Sequence, residues 1–322
     1  MDDRGQGRPE ERAQPEPPPP SAALRRLLPA IGGLEVVDRL AALSGSDFTS
    51  VMLEVVRRRA ARESPASVLR RYRHDRFVRP GSIPWRSLRR AEDLLLGALP
   101  ADLEVLNLAP LVPLGTHSAL GTVSQDKVVT AIRACEVAAD PTNALALEAA
   151  DRRARAPGQT VRLAAVQRMV RAQHTEGAGY FAHFSLFGLV TAGRDQGGYL
   201  FQRRAVAEQL ACAARGLAAA GVGEIQLALT PLSETGELVA AGVAADPPPG
   251  PVQVVLDRDR QSGRGYYSDL CFKLNAQAGG EPVELGDGGF TDWGQKLTAS
   301  RKERLLISGI GIDRLATLID AR

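Results

Sequence analysis

From Ser21 to about Arg76 the apolar residues recur at helical spacing. Leu34, Val37, Leu40 and Leu43 share one face, and Val51, Val55 and Val56 share another on the next segment. Pro80, Gly81 and Pro84 then break the chain and set a boundary. Beyond it the pattern is mixed. Trp85–Leu96 reads as a helix closed by Gly97, and Leu103–Leu108 as a strand ending at Pro110. Strand patterns follow over Lys127–Val137 and in a short stretch after the Asp-Pro-Thr-Asn turn, with a helix near Ala144–Arg153. Val161–Val170 runs into a glycine-containing loop, His183–Ala192 reads as a strand, and Tyr199–Ala220 as a helix closed by Gly221. Ile225–Leu229, Val252–Leu256 and Tyr266–Leu274 have strand character. Leu305–Ser308 is an apolar strand turning through Gly309 and Gly311 into a last helix. Strands joined by long loops, without regular βαβ alternation, predict an α+β fold on an antiparallel sheet flanked by helices, with a helical N-terminal extension.

Composition narrows the class. Hydrophobic residues make up 44% and charged residues 24% of 322, the balance of a soluble globular protein with one large domain and a small addition. No run approaches the roughly 20 apolar residues of a membrane helix, and the opening MDDRGQGRPEER has no apolar signal core, so no membrane and a cytoplasmic setting are expected. Residues 1–20 carry six prolines and read as a disordered tail, 21–84 as a helical, Arg-rich region, and 85–322 as the main domain. Three scattered cysteines give no disulfide framework. His174 and His183, nine apart, match no common zinc spacing, and no metal ligands can be assigned.

Net charge is only +3, yet residues 57–90 hold twelve arginines against Glu63 and Asp75. Such a run suits an RNA or another phosphate-bearing carrier, and equally a solvated helix face.

There is no GxxxxGK[ST] loop and no GxGxxG after a strand, so a nucleotide would need a different grip: arginines for phosphate and a flat apolar ring for adenine. Two segments supply these. RMVRAQHTEGAGYFAHFSLFGLV, residues 168–190, resembles motif 2 of the class II aminoacyl-tRNA synthetases, closest to the histidyl branch. LLISGIGIDRL, residues 305–315, resembles motif 3. The resemblance implies that Arg171 binds the α-phosphate and Phe184 stacks on adenine. Gln173, in place of a family glutamate, would accept from the adenine amino group. Arg314 would face the adenine and terminal phosphate, with Gly309 and Gly311 permitting close approach and Asp313 replacing a glutamate. LPADLEVLNLAPLVPLG resembles the dimer-building motif 1, its proline being Pro110 or Pro113. GYYSDLCFKL and ELGDGGFTDW resemble the histidyl tyrosine and glycine pair, through Tyr266, Tyr267, Gly288, Gly289 and Asp292. ATP with Mg2+ and a homodimer are the implied cofactors and assembly, with Glu284, Asp287 and Asp292 the acidic candidates.

The departures bear on substrate. Positions that surround the substrate's amine in the family hold Thr142, Leu186 and Val190 here, and a buried ammonium needs anionic or carbonyl partners. The catalytic arginine before the tyrosine pair has two candidates, Arg264 and Arg260, with Arg264 preferred. The sequence ends soon after motif 3, where the histidyl branch continues into an anticodon-binding domain. The expectation is an ATP-dependent, adenylate-forming ligase. It would activate an amino acid or other small carboxylate for an acceptor other than an anticodon-read tRNA. A catalytically silent paralogue, like the regulatory subunit of ATP phosphoribosyltransferase, is the second reading, and an RNA-binding accessory protein the third.

Overall fold

A computed structural model describes residues 19–121, 123–172, 181–278 and 281–320. The chain divides into two units, one up to Arg59 and one from Ala60 to Arg322, so the Pro80–Pro84 break lies inside the larger unit. The smaller unit contains α1 (Ala22–Ile31), capped by the Ser21 hydroxyl, α2 (Leu34–Ala41) and most of α3 (Gly45–Ala60).

The larger unit opens with α4 (Pro65–His74). There Ser64 and Ser67 cap the helix reciprocally, side chain to backbone. Next come α5 (Trp85–Gly97), the short strands β1 (Glu104–Val105) and β2 (Leu111–Pro113), and α6 (Thr116–Gly121). The expected Lys127–Val137 strand is two short pieces, β3 (Thr130–Ala131) and β4 (Cys135–Val137), separated by a turn in which Ala134 has φ of 52°. No strand follows the Asp-Pro-Thr-Asn sequence. It starts α7 (Pro141–Arg155) instead, because Asp140 caps the Thr142 amide and Pro141 occupies the first turn, where its missing N–H costs nothing.

The hairpin β5 (Val161–Val170) and β6 (His183–Arg194) precedes α8 (Leu200–Ala219), β7 (Ile225–Pro231), α9 (Glu234–Ala245) and β8 (Val252–Leu256). The chain then forms β9 (Ser268–Ala278), β10 (Glu281–Thr291), α10 (Trp293–Thr298), β11 (Glu303–Gly311) and α11 (Ile312–Asp320).

Eight strands form one sheet in the order β1-β5-β6-β11-β10-β9-β7-β8, and β2-β4-β3 form a small second sheet. The fold is α+β as expected, but the large sheet is mixed rather than purely antiparallel. β1 runs parallel to β5 at one edge and β8 parallel to β7 at the other. The period-two alternation of buried strands divides the core between two faces. Phe187, Leu189, Leu306 and Ile310 pack under α5, α8, α9 and α11. Val190, Ala192, Leu305 and Ile307 pack under α6, α7 and α10, with Leu145, Ala149 and Trp293 above them. Beyond the N-terminus of α7 this second face is open, and many of the residues singled out from the sequence gather there.

Candidate functional site

Arg171 directly follows β5, and Phe184 is the second residue of β6, so one hairpin brings both to the open face. The guanidinium carbon lies 5.2 Å from the ring centroid. Arg171 is fixed from its other side: Nε donates to the Ala139 carbonyl at 3.0 Å, and Nη2 stands 3.4 Å from the Asp140 carboxylate.

The β11–α11 junction supplies the opposite wall. Gly309 and Gly311 line it, and a Cβ at Gly309 would stand 2.9 Å from the Leu186 side chain, so glycine keeps the wall flat. Arg314, in the first turn of α11, is half-buried and donates from Nη1 to the Glu284 carbonyl at 2.9 Å. Its neighbour Asp313 accepts the Ser185 amide at 2.6 Å, which locks the start of β6 to the start of α11. Burial raises the Asp313 pKa, only partly offset by that amide and by Arg168.

The third wall comes from β10 and the loop before β9. Residues three apart on a regular strand point to opposite faces. The β9–β10 register slips between Glu284 and Gly286, and both Glu284 and Asp287 line the cleft. The Tyr267 hydroxyl donates to Asp287 at 3.2 Å, and Arg260 Nη2 stands 3.5 Å from the same carboxylate. Some 45% of the Asp287 side chain is open to the cavity. Surrounding protein still raises its pKa, with Glu284 and Asp140 adding to the shift and Arg260 opposing it. Tyr266 and Tyr267 meet edge to face at 4.7 Å. Burial, reinforced by Asp140 and Asp287, raises both phenols, so they act as neutral donors.

Together these walls line two adjacent lobes. The first, about 200 Å3, is lined by Arg171, Phe184, Leu186, Gly309 and Arg314. The second, about 540 Å3, extends toward α6 and the α7 N-terminus. Asp140, Arg171, both tyrosines, Glu284 and Asp287 border both.

Twelve residues singled out from the sequence therefore meet in one lobe: Thr142, Arg171, Phe184, Leu186, Tyr266, Tyr267, Glu284, Asp287, Gly309, Gly311, Asp313 and Arg314. Five others lie elsewhere. Val190 is 1% exposed and packs in the core beneath α7. On its strand Phe184 and Leu186 reach the cleft, but at Gly188 the ring of Pro141 closes over the sheet, 2.9 Å from where a Cβ would sit. Gly288 and Gly289 sit behind the wall, where a Cβ at Gly289 would strike the Tyr267 ring at 2.6 Å. Arg264 donates to the carbonyls of Arg260 and Arg258 in its own loop, whereas Arg260 lines the second lobe. Gln173 lies outside the described residues. Asp292 is paired with Lys296 on α10 and borders neither lobe.

The support behind Arg171 was not anticipated. Glu136 is fully buried and accepts the Gly115 and His117 amides, Gln125 Nε2 and His117 Nδ1, the last at 2.5 Å. His117 Nε2 in turn accepts the Ala139 amide at 2.9 Å, which makes His117 the Nδ1-protonated neutral tautomer. This network fixes the Ala139–Asp140 segment that holds Arg171. Burial pushes the Glu136 pKa up, but its donors outweigh that and hold it below the ordinary value.

No helix among the described residues is long and apolar enough to cross a membrane. No family model matches the chain, and no curated protein matches it at a significant level. Solved structures do. An apo S. aureus histidyl-tRNA synthetase superposes with TM-score 0.54 at 17% identity, over 73% of this chain and 65% of that one. The chain thus spans just under two thirds of that protein. A protein from Bacillus halodurans described as an ATP phosphoribosyltransferase regulatory subunit/histidyl-tRNA synthetase gives 0.57 at 14% identity, covering 75% and 81%. Pyrrolysyl-tRNA synthetase from Desulfitobacterium hafniense gives 0.50 at 15%, covering 79% and 74%. The fold is that of the class II aminoacyl-tRNA synthetases.

Proposed function

We propose that this class II synthetase-like domain is an ATP-dependent ligase that activates a small carboxylate as its adenylate. One observation carries the reading: Arg171, Phe184 and Arg314, drawn from two separate motifs, line a single lobe. Two guanidiniums and an aromatic face are what nucleotide binding without a phosphate loop requires. A substrate carboxylate oxygen would attack the α-phosphorus, forming the acyl–phosphate bond as pyrophosphate leaves. Arg171 would stabilise charge on the α-phosphate and Arg314 charge on the departing group. The chemistry needs positioning and electrostatics more than proton transfer.

Among the described residues no group of three or more His, Cys, Asp or Glu side chains could hold a metal ion by itself. Magnesium would therefore arrive with the nucleotide, held chiefly by its phosphates, and would neutralise phosphate charge. Glu284 and Asp287 border both lobes, but each already has a basic partner, Lys273 and Arg260.

The regulatory reading draws on a different observation. Arg260 is held by Asp287 and by the Ser262 carbonyl at 2.8 Å, and the amine-anchor positions at the cleft are Thr142 and Leu186. Such a protein would bind a small effector without forming an adenylate, and one structural neighbour is described as an ATP phosphoribosyltransferase regulatory subunit/histidyl-tRNA synthetase. Carboxylate-dependent exchange of labelled pyrophosphate into ATP separates the two. The ligase reading expects exchange with at least one member of a broad panel of amino acids and other small carboxylates. No exchange from a protein that binds ATP or another small effector would hand the function to the regulatory reading.

A further inference from the structure

Two residues that line the second lobe carry unsatisfied buried donors. Asn143, third residue of α7, is 3% exposed and lines the lobe, and its Nδ2 has no partner among the described residues. Arg260, from the loop between β8 and β9, is 8% exposed and lines the same lobe, and its Nη1 is likewise without a partner among them. A buried N–H with no acceptor is costly enough to be rare. Here two occur in one cavity, contributed by elements far apart in sequence.

The charges around them agree in sign. Every carboxylate bordering the lobe already has a basic partner: Asp140 with Arg171, Glu284 with Lys273 at 2.7 Å, and Asp287 with Arg260. Lys127, exposed on the lobe wall, adds a further positive charge. A cationic group entering here would have to break one of those pairs. An apolar group would leave both nitrogens unpaired while excluding water from them. An anionic acceptor that draws these two side chains toward the lobe satisfies their nitrogens and leaves the pairs intact.

We propose that the second lobe receives the remote end of the substrate as an anionic acceptor group, a second carboxylate or a phosphate-type group, and that Asn143 and Arg260 select it. This deepens the adenylate reading by naming its substrate class, and rests on it for the chemistry at the other end. The second lobe has ample room for a short chain between the two ends.

The test is calorimetric titration of the full chain with four probes of similar length: glutarate, phosphonobutyrate, butyrate and γ-aminobutyrate. Each titration is run with and without a non-hydrolysable ATP analogue. Glutarate or phosphonobutyrate is expected to bind about ten- to a hundredfold more tightly than butyrate or γ-aminobutyrate, the range of one or two charge-assisted hydrogen bonds. Whichever anion binds more tightly identifies its chemical source. Asn143→Ala should erase about tenfold of that preference, and Asn143→Asp should turn it toward γ-aminobutyrate, a reversal that a purely structural role would not produce. Should the Asn143 variants fail to fold, Arg260→Gln applies the same test from the opposite wall. Butyrate or γ-aminobutyrate binding as tightly as the dianions, or a ranking unmoved by these variants, would overturn the proposal while leaving adenylation intact. Anion selectivity that depends on Asn143 without any binding of the ATP analogue would uphold the lobe and remove the adenylate reading.

Discussion

The Arg171 guanidinium lies over the Phe184 ring, 5.2 Å from its centroid, although thirteen positions of chain separate them. The antiparallel β5–β6 register, pairing Val170 with His183, places them side by side. The Ala139 carbonyl then sets the angle of the arginine from the neighbouring segment.

The same strand distinguishes Leu186 from Val190. Leu186 borders the cleft, and Val190 lies in the core beside Leu145 and Ile307. Leu186→Gln should fold, losing no more than about 1–2 kcal/mol while changing ligand preference. Val190→Glu buries an unpaired carboxylate and should lose roughly 3–5 kcal/mol in urea unfolding. Equal losses would contradict the assignment of Val190 to the core.

Glu136 predicts an acid-sensitive term in stability. Its folded pKa lies below the ordinary 4.5, so its contribution is present above that value and disappears as pH falls through the folded pKa. Asp287 and Asp313 have the opposite sign, losing stability as pH rises through their raised values. Glu136→Gln should lower stability at pH 7 by about 1–3 kcal/mol and flatten its fall on acidification. A variant with the wild-type acid slope would show that the network does not work this way.

Gly286 faces the Gly309 carbonyl, where an added Cβ would lie 2.1 Å from the oxygen. Gly286→Ala must therefore push β10 from β11 and should cost about 1–3 kcal/mol or more. Gly97, in α5 with nothing within 4 Å of an added Cβ, is the control, and Gly97→Ala should be neutral or stabilise by up to about 1 kcal/mol. Thermal unfolding midpoints that move alike would refute the close β10–β11 approach.

Val105, Leu111 and Leu114 are each more than 40% exposed in the stretch that resembles the dimer-building motif, and Trp85, on the helix before it, is 71% exposed. A homodimer with a two-fold interface is expected at tens of micromolar by light scattering. A monomer there would contradict it.

Much of the frame was legible because its signals are local. The apolar strands 161–170 and 183–192 and the Gly-bounded helices at 85–97 and 199–220 announce themselves by period and punctuation. The Asp-Pro-Thr-Asn segment reads as a turn leading to a strand, yet aspartate before proline is a helix-start signature and α7 begins there. The parallel pairing of β1 with β5 and of β8 with β7 left no trace, since pairing direction depends on contacts across the sheet. At the site, residues from the two arginine motifs were found because those motifs are contiguous. Asn143 and the His117–Glu136 pair carry no sequence signal, and Arg260 reads only as the less preferred arginine before the tyrosine pair, since their meaning comes from neighbours brought together only in the fold. Val190 was misplaced because strand parity tells which face a residue takes, but not where Pro141 covers that face.

The most direct measurement is a calorimetric titration of ATP with magnesium into the wild-type protein and into Arg171→Ala and Arg314→Ala. Saturable binding is expected in the wild type, weakened by roughly 2–4 kcal/mol in each variant, as for losing a charge-assisted pair to phosphate. No binding by the wild type at millimolar ATP, or equal binding by all three proteins, would contradict a nucleotide site built on these two arginines.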